Sequence, residues 1–208
     1  MTVPGRVEAA HLLRSLDPPD WLLRHSRAVA EVAGWLAART ALQGTDIDPT
    51  KVEAAGLLHD VDKVLPAGDL LRRLRHGEGS AAWLTARGHA ELAPLVADHP
   101  VTRLIDGEWF ERWLAEASPE ARIVAYADKR AGQRLDVIDA RFASWRRRHP
   151  PAVGRGSEAG WDEHTFAAVR GRAGRLEAAV CAAAGVEPGA VRRLAWTGRA
   201  FREADRAA

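Results

Sequence analysis

The chain has 208 residues, a formal net charge of +2 and 47% hydrophobic residues, enough apolar content to bury a core. Its longest apolar runs, such as 178–184, fall far short of the ~20 residues of a membrane span, and no basic segment followed by an apolar one suggests a signal peptide. A single cysteine, Cys181, excludes an internal disulfide and fits a cytoplasmic home.

Ala, Leu and Arg dominate, a usage that favours helix. Lysine occurs only at Lys51, Lys63 and Lys129. The excess of Arg reads either as base composition or as phosphate recognition by a planar fork. Val7 to Leu16 is expected to form a short helix. Asp20 is a plausible N-cap for a helix from Trp21 to about Ala41, whose apolar positions Leu22, Val29, Val32, Ala33 and Leu36 follow helical spacing. His25 falls one turn before Val29 and faces inward, as a hydrogen-bonded core residue or as a ligand.

Asp48 and Pro49 form a helix start, and that helix runs into Leu57-Leu58-His59-Asp60-Val61-Asp62-Lys63. An apolar helix that ends in so many ionisable groups needs charge compensation if it is buried. Imidazole and carboxylate are ligands for divalent ions such as Zn, Fe, Mn and Mg. His59 and Asp60 point about 100° apart on a helix and can share one ion if the helix ends there. The plainer alternative is a capped terminus with a solvated Lys63.

Asp69 caps a further short helix, interrupted at His76-Gly77. A helix from about Ala81 to Arg87 ends at Gly88, with His89 in the turn. Glu91 to His99 reads as helical, with Pro94 tolerated in its first turn and Pro100 blocking continuation. Residues 106–117 form another helix. Ser118 and Pro119 open a long one that carries Asp128 within an apolar stripe and closes near Trp145. The basic run Arg146-Arg147-Arg148 suits a helix C-terminus. A Pro- and Gly-rich loop, 149–160, precedes a helix over 162–184 and a last one from Gly189 to about Ala208. No strand alternation of useful length and no internal repeat is found.

The order His25, His59-Asp60, His76, His99 and Asp128 resembles the HD superfamily of metal-dependent phosphohydrolases, in its two-metal form. "LLHDVDK" is similar to the family's core segment. "HG…GSAAWL…GH…ELAPLVADH" looks like the stretch that follows it, and "RIVAYADKR" looks like the helix that supplies the last Asp. The resemblance covers about residues 20–145. It implies an all-α HD-domain helical bundle over 1–148, a loop or linker over 149–160, and a C-terminal helical extension over 161–208 packed on the same domain.

It also implies that His25, His59, Asp60 and Asp128 bind one divalent ion. Asp60 would bridge to a second ion held by His76 and His99. Two cations sharing a water lower its pKa and present hydroxide to phosphorus. Lys63 would then neutralise charge developing on the phosphate, and Lys129 and Arg130 would contact substrate. Asp62 would orient a ligand His. The substrate would be a nucleotide or another small phosphoester. Asp128-Lys129-Arg130-Ala131-Gly132 departs from the segment found in the branch that cleaves dinucleoside tetraphosphates symmetrically.

Two rival readings remain open at this point. One is a non-catalytic nucleotide sensor of the same fold. The other is a helical nucleic-acid-binding protein, which would need a clustered basic face; here acidic residues are interspersed throughout. His11, His149 and His164 read as surface residues.

Overall fold

The computed structural model describes residues 3–132, 135–150 and 160–191, with Arg202, Asp205 and Arg206. The described residues are helical, with no strand; an isolated bridge joins Ala131 to Leu135. The helices are α1 (Arg6–Arg14), α2 (Asp20–Leu42), α3 (Pro49–Leu58), α4 (Glu78–Ala86), α5 (Ala93–Val96), α6 (Gly107–Glu116), α7 (Pro119–Arg130), α8 (Ile138–Arg148), α9 (Glu163–Ala184) and α10 (Pro188–Val191). Short 3₁₀ turns cover Val61–Val64, Leu70–Arg73 and Val101–Ile105. No helix among the described residues is long and apolar enough to cross a membrane.

α2 is the central strut. It packs against α3, α7 and α9, burying Leu22, Val29, Val32 and Leu36 completely. The contact with α3 is close because both helices are small there: a Cβ on Gly56 would lie 2.8 Å from the Ala30 Cα. Any larger residue at Gly56 would push α3 away, and with it the His59-Asp60 pair at its end.

Several starts and stops follow the sequence chemistry. The Asp48 carboxylate accepts from Thr50 N at 2.9 Å and Pro49 is the first helical residue of α3. Ser118 caps α7 and Asp162 caps α9, whose other end turns on the left-handed Gly185. Other expectations need correction. Asp20 is the first residue of α2 rather than its cap; Pro19 precedes it and no side chain caps the helix. α4 starts at Glu78, three residues early, because Gly77 takes a positive φ of 88° and turns the chain into it. The helix expected over 91–99 shrinks to α5, with turns on both sides.

The largest correction is to the long helix expected from Pro119 to Trp145. It is two helices, α7 and α8. The α7 ladder stops after Ala131 N bonds Ala127 O, and Asp136 N instead reaches back to Arg130 O at 3.0 Å. The apolar stripe restarts in α8, which is why periodicity alone read through the break. Asp128 therefore lies in the last turn of α7 rather than mid-helix. Most of the last helix expected from Gly189 onward, and most of the 149–160 loop, lie outside the described residues.

α9 crosses α2 and α7 and is fastened by a buried charge. Arg130, with no exposed surface, donates to Glu177 Oε1 at 3.0 Å, to Asp136 O at 2.6 Å, to Pro188 O at 3.1 Å and to the Tyr126 hydroxyl. Tyr126 in turn donates to Glu177 at 2.8 Å.

Candidate metal centre

α3 ends where its apolar face runs out, and His59 is its C-cap. Asp60 follows in a non-helical conformation, φ −109° and ψ 17°. That break swings His59 and Asp60, adjacent in sequence, toward one point. Both are buried. α2 brings His25 from one side, the last turn of α7 brings Asp128 from another, and the turns before α4 and after α5 bring His76 and His99.

The ring nitrogens are oriented before any ligand binds. His59 Nδ1 lies 2.8 Å from Gly56 O, and His99 Nδ1 lies 2.6 Å from Val96 O. A carbonyl only accepts, so each Nδ1 carries the proton and each Nε2 points into the cluster. His76 Nδ1 sits 3.0 Å from both oxygens of Asp62, which also accepts from Gly77 N at 2.7 Å. Asp62 thus holds the His76 ring, leaving its Nε2 inward.

The inward atoms form two sets around Asp60. In the first, His25 Nε2 lies 3.1 Å from His59 Nε2 and 3.3 Å from both Asp60 Oδ2 and Asp128 Oδ1. His59 Nε2 is 3.4 Å from Asp60 Oδ2 and 3.8 Å from Asp128 Oδ1. In the second set, Asp60 Oδ1 is 3.3 Å from His76 Nε2 and 3.2 Å from His99 Nε2. Donors bound to one transition ion at about 2.0–2.1 Å, at angles of 90–110°, stand about 2.9–3.4 Å apart. Most of these separations fall in that range, and three overlapping groups, His25 with His59 and Asp128, His59 with Asp60 and His99, and Asp60 with Asp62 and His76, bring donor atoms close enough to hold a metal ion.

The electrostatics agree. Burial would raise the carboxyls of Asp60 and Asp128, yet the facing imidazoles hold both well below the usual range. Burial lowers His59 and His76, but the carboxylates outweigh it, raising them to about 10 and about 9. His99, dominated by burial, falls to about 4 and is neutral. The acids and imidazoles therefore hold positive charge among themselves, the charge a cation would supply instead.

Lys63 stands at the edge, 2.6 Å from Asp60 Oδ2 and partly exposed. It opens on a cavity of about 980 Å³, together with His25, His76 and Asp128. Of the residues expected at the site, His25, His59, Asp60, Lys63, His76, His99 and Asp128 come together. His89 belongs to none of the donor sets; it is buried in its own turn.

Arg130 does not reach the site, because its guanidinium is consumed in fastening α9. Lys129 lines the cavity, but its ammonium donates to His99 O at 2.7 Å and Ala125 O at 3.0 Å. Burial lowers it to about 8. Its role is to brace the His99 turn against α7 rather than to meet a ligand first.

Sequence reasoning missed the contribution of α8 to the cavity. α8 lines it with most of its residues from Ala140 to Arg148, Arg141 and Trp145 among them. No spacing in the sequence marks this wall, and the basic end of α8 reads as solvated.

Searches among curated proteins and among solved structures found no match. The family model of the HD domain does match, over residues 22–132, a span that includes every residue of both donor sets. Because that match takes in more than half of the sequence, the chain belongs to the HD domain family, whose members are mostly metal-dependent hydrolases.

Proposed function

We propose that this protein is a metal-dependent phosphohydrolase acting on a nucleotide or similar small phosphoester, with two divalent ions per chain. The observation that carries the reading is Asp60, which turns one oxygen toward each donor set. His25, His59, Asp60 and Asp128 would hold one ion, and Asp60, His76 and His99 the other. Bound ions supply an acidified water and polarise the phosphoryl oxygen.

The chain's own groups do the rest. Asp62 and the Gly56 and Val96 carbonyls fix the imidazole tautomers, so little reorganisation is needed on loading. Lys63, at the boundary between cluster and cavity, offers a cation to a phosphate oxygen as charge builds there. α9, docked across α2 and α7, closes the bundle behind the site, so we read residues 1–191 as one working unit.

The test is elemental analysis of the purified chain, then phosphate release from a panel of nucleotides and generic phosphoesters with Mn, Fe, Co and Mg. Hydrolysis that is lost on chelation and restored by metal is the expected result. A metal-loaded chain that releases phosphate from none of them would overturn the catalytic reading and favour a nucleotide sensor.

A further inference from the structure

The cavity beside the metal cluster is larger than a phosphate group needs. His25, His76, Asp128 and Lys63 line one part of it, and α8 supplies another wall. On that wall stands Arg141, a partly buried arginine that makes no hydrogen bond and no ion pair among the described residues. Its Nε is buried without a partner. Asp128 and Asp136 lie near enough to influence its charge, but neither forms an ion pair with it. A guanidinium presents five donors, and here the buried Nε–H finds no acceptor within the described residues, which is unfavourable unless a ligand meets it.

The chain makes room for this side chain. Gly132, in the α7–α8 connection, lies directly beneath the guanidinium, and a Cβ there would overlap it. Three Phe or Trp side chains line the same cavity: Phe142 and Trp145 from α8, and Trp21, 44% exposed, from the start of α2. Flat apolar faces of this kind accept a nucleobase by stacking.

We propose that Arg141 is the specificity-determining residue of this cavity, binding a second phosphate beyond the one at the metal cluster, so that the substrate is a nucleotide carrying at least two phosphates. This rests on the phosphohydrolase reading for the position of the reacting phosphate. Arg fits the role because its planar fork grips a phosphate bidentately. Lys63 and Arg141 line the same cavity from different elements, and a chain of linked phosphates can engage both where a single phosphate engages one. Gly132 acts through Arg141, as the residue that leaves space for it.

The test is calorimetric binding of AMP and of the non-hydrolysable α,β-methylene-ADP to the metal-loaded full chain and to three variants. The parent should bind the diphosphate analogue at least about tenfold tighter than AMP, the worth of one charged hydrogen-bonded contact. In Arg141→Ala that preference should fall to near one. Arg141→Lys should retain a smaller preference, having charge without the fork. Gly132→Ala should lower it as well by displacing the guanidinium, and this variant keeps the test alive if Arg141→Ala folds poorly. A parent with no preference, or Arg141→Ala and Gly132→Ala variants that keep it, would overturn the proposal. Binding is read without turnover. A chain that prefers the diphosphate but hydrolyses nothing sinks the hydrolase reading alone. A chain that releases phosphate from p-nitrophenyl phosphate but shows no preference sinks only this inference.

Discussion

Asp128 and Arg130 are two residues apart in the last turn of α7, and their charges are handled in opposite ways. Arg130 is sealed inside the protein and every nearby partner is fixed: Glu177, Tyr126 and two backbone carbonyls. Asp128 faces a cavity, and its neighbours are imidazoles whose free nitrogens converge with it on a common point. The first arrangement ties Nε and Nη1 to fixed partners within the chain and leaves only Nη2 without one. The second is balanced by Lys63 and by protons on imidazoles such as His59 and His76, which a cation can displace. A buried charge with fixed partners is structural, and one balanced by exchangeable partners points to a ligand.

If that contrast is right, damage to the two regions separates cleanly. His59→Ala or Asp60→Ala should reduce hydrolysis to background, a loss on the order of 10³-fold or more, with far-UV circular dichroism of the parent. Near-normal turnover in either variant with metal in excess would remove the assigned centre. Arg130→Met should do the reverse. Removing the buried guanidinium from half-buried Glu177, which keeps only the Tyr126 hydroxyl, destabilises by about 3 kcal/mol, read as a melting temperature lower by roughly 6–12 °C for a chain of this size. Below that transition, metal content per folded chain should match the parent. A variant that keeps its stability but loses metal would show that the two regions are one.

Lys63 lies between these extremes, paired to Asp60 but partly exposed. Lys63→Ala should lower kcat on the order of 10²-fold with metal content unchanged, as measured by steady-state kinetics beside elemental analysis. Unchanged kinetics would leave only an ion pair. Within the cluster, His76→Ala and His99→Ala should each bring the metal content from two ions toward one, whereas His89→Ala should retain two. A parent holding one ion under metal-replete conditions would dissolve the second set.

The mildest effect is on pH. His59 and His76, raised to about 10 and about 9, hold protons at pH 7, and metal binding at their Nε2 atoms must expel them. Apparent metal affinity should therefore rise as pH increases from 6 to 8, and titration in weak buffer should acidify the solution. Affinity flat across that range would mean that protons do not balance the cluster.

Much of the fold and of this centre was legible before any coordinates. Helix caps such as Asp48 and Ser118 are local, and so are the stops at Gly88 and Gly185. His25, His59, Asp60, His76, His99 and Asp128 could be named because their types and order resemble a known pattern. The failures share a cause. The break between α7 and α8 was invisible because apolar residues on both sides kept the helical period, and only packing shows where the hydrogen-bond ladder stops. Arg130 was placed near substrate by its neighbour Asp128, although about 100° per residue turns it toward α9.

What the sequence by itself determined is the helical class, the local starts and stops, and the set of groups able to bind metal, because propensity, capping and donor chemistry belong to single residues and short segments. Only the tertiary structure decided which of those groups meet, that Asp60 divides its two oxygens between two donor sets, and that Arg141 faces a cavity while Arg130 is consumed by α9. Those outcomes depend on where α2, α3, α7 and α8 cross, and crossing positions are set by close contacts such as Gly56 on Ala30 between residues far apart in the chain.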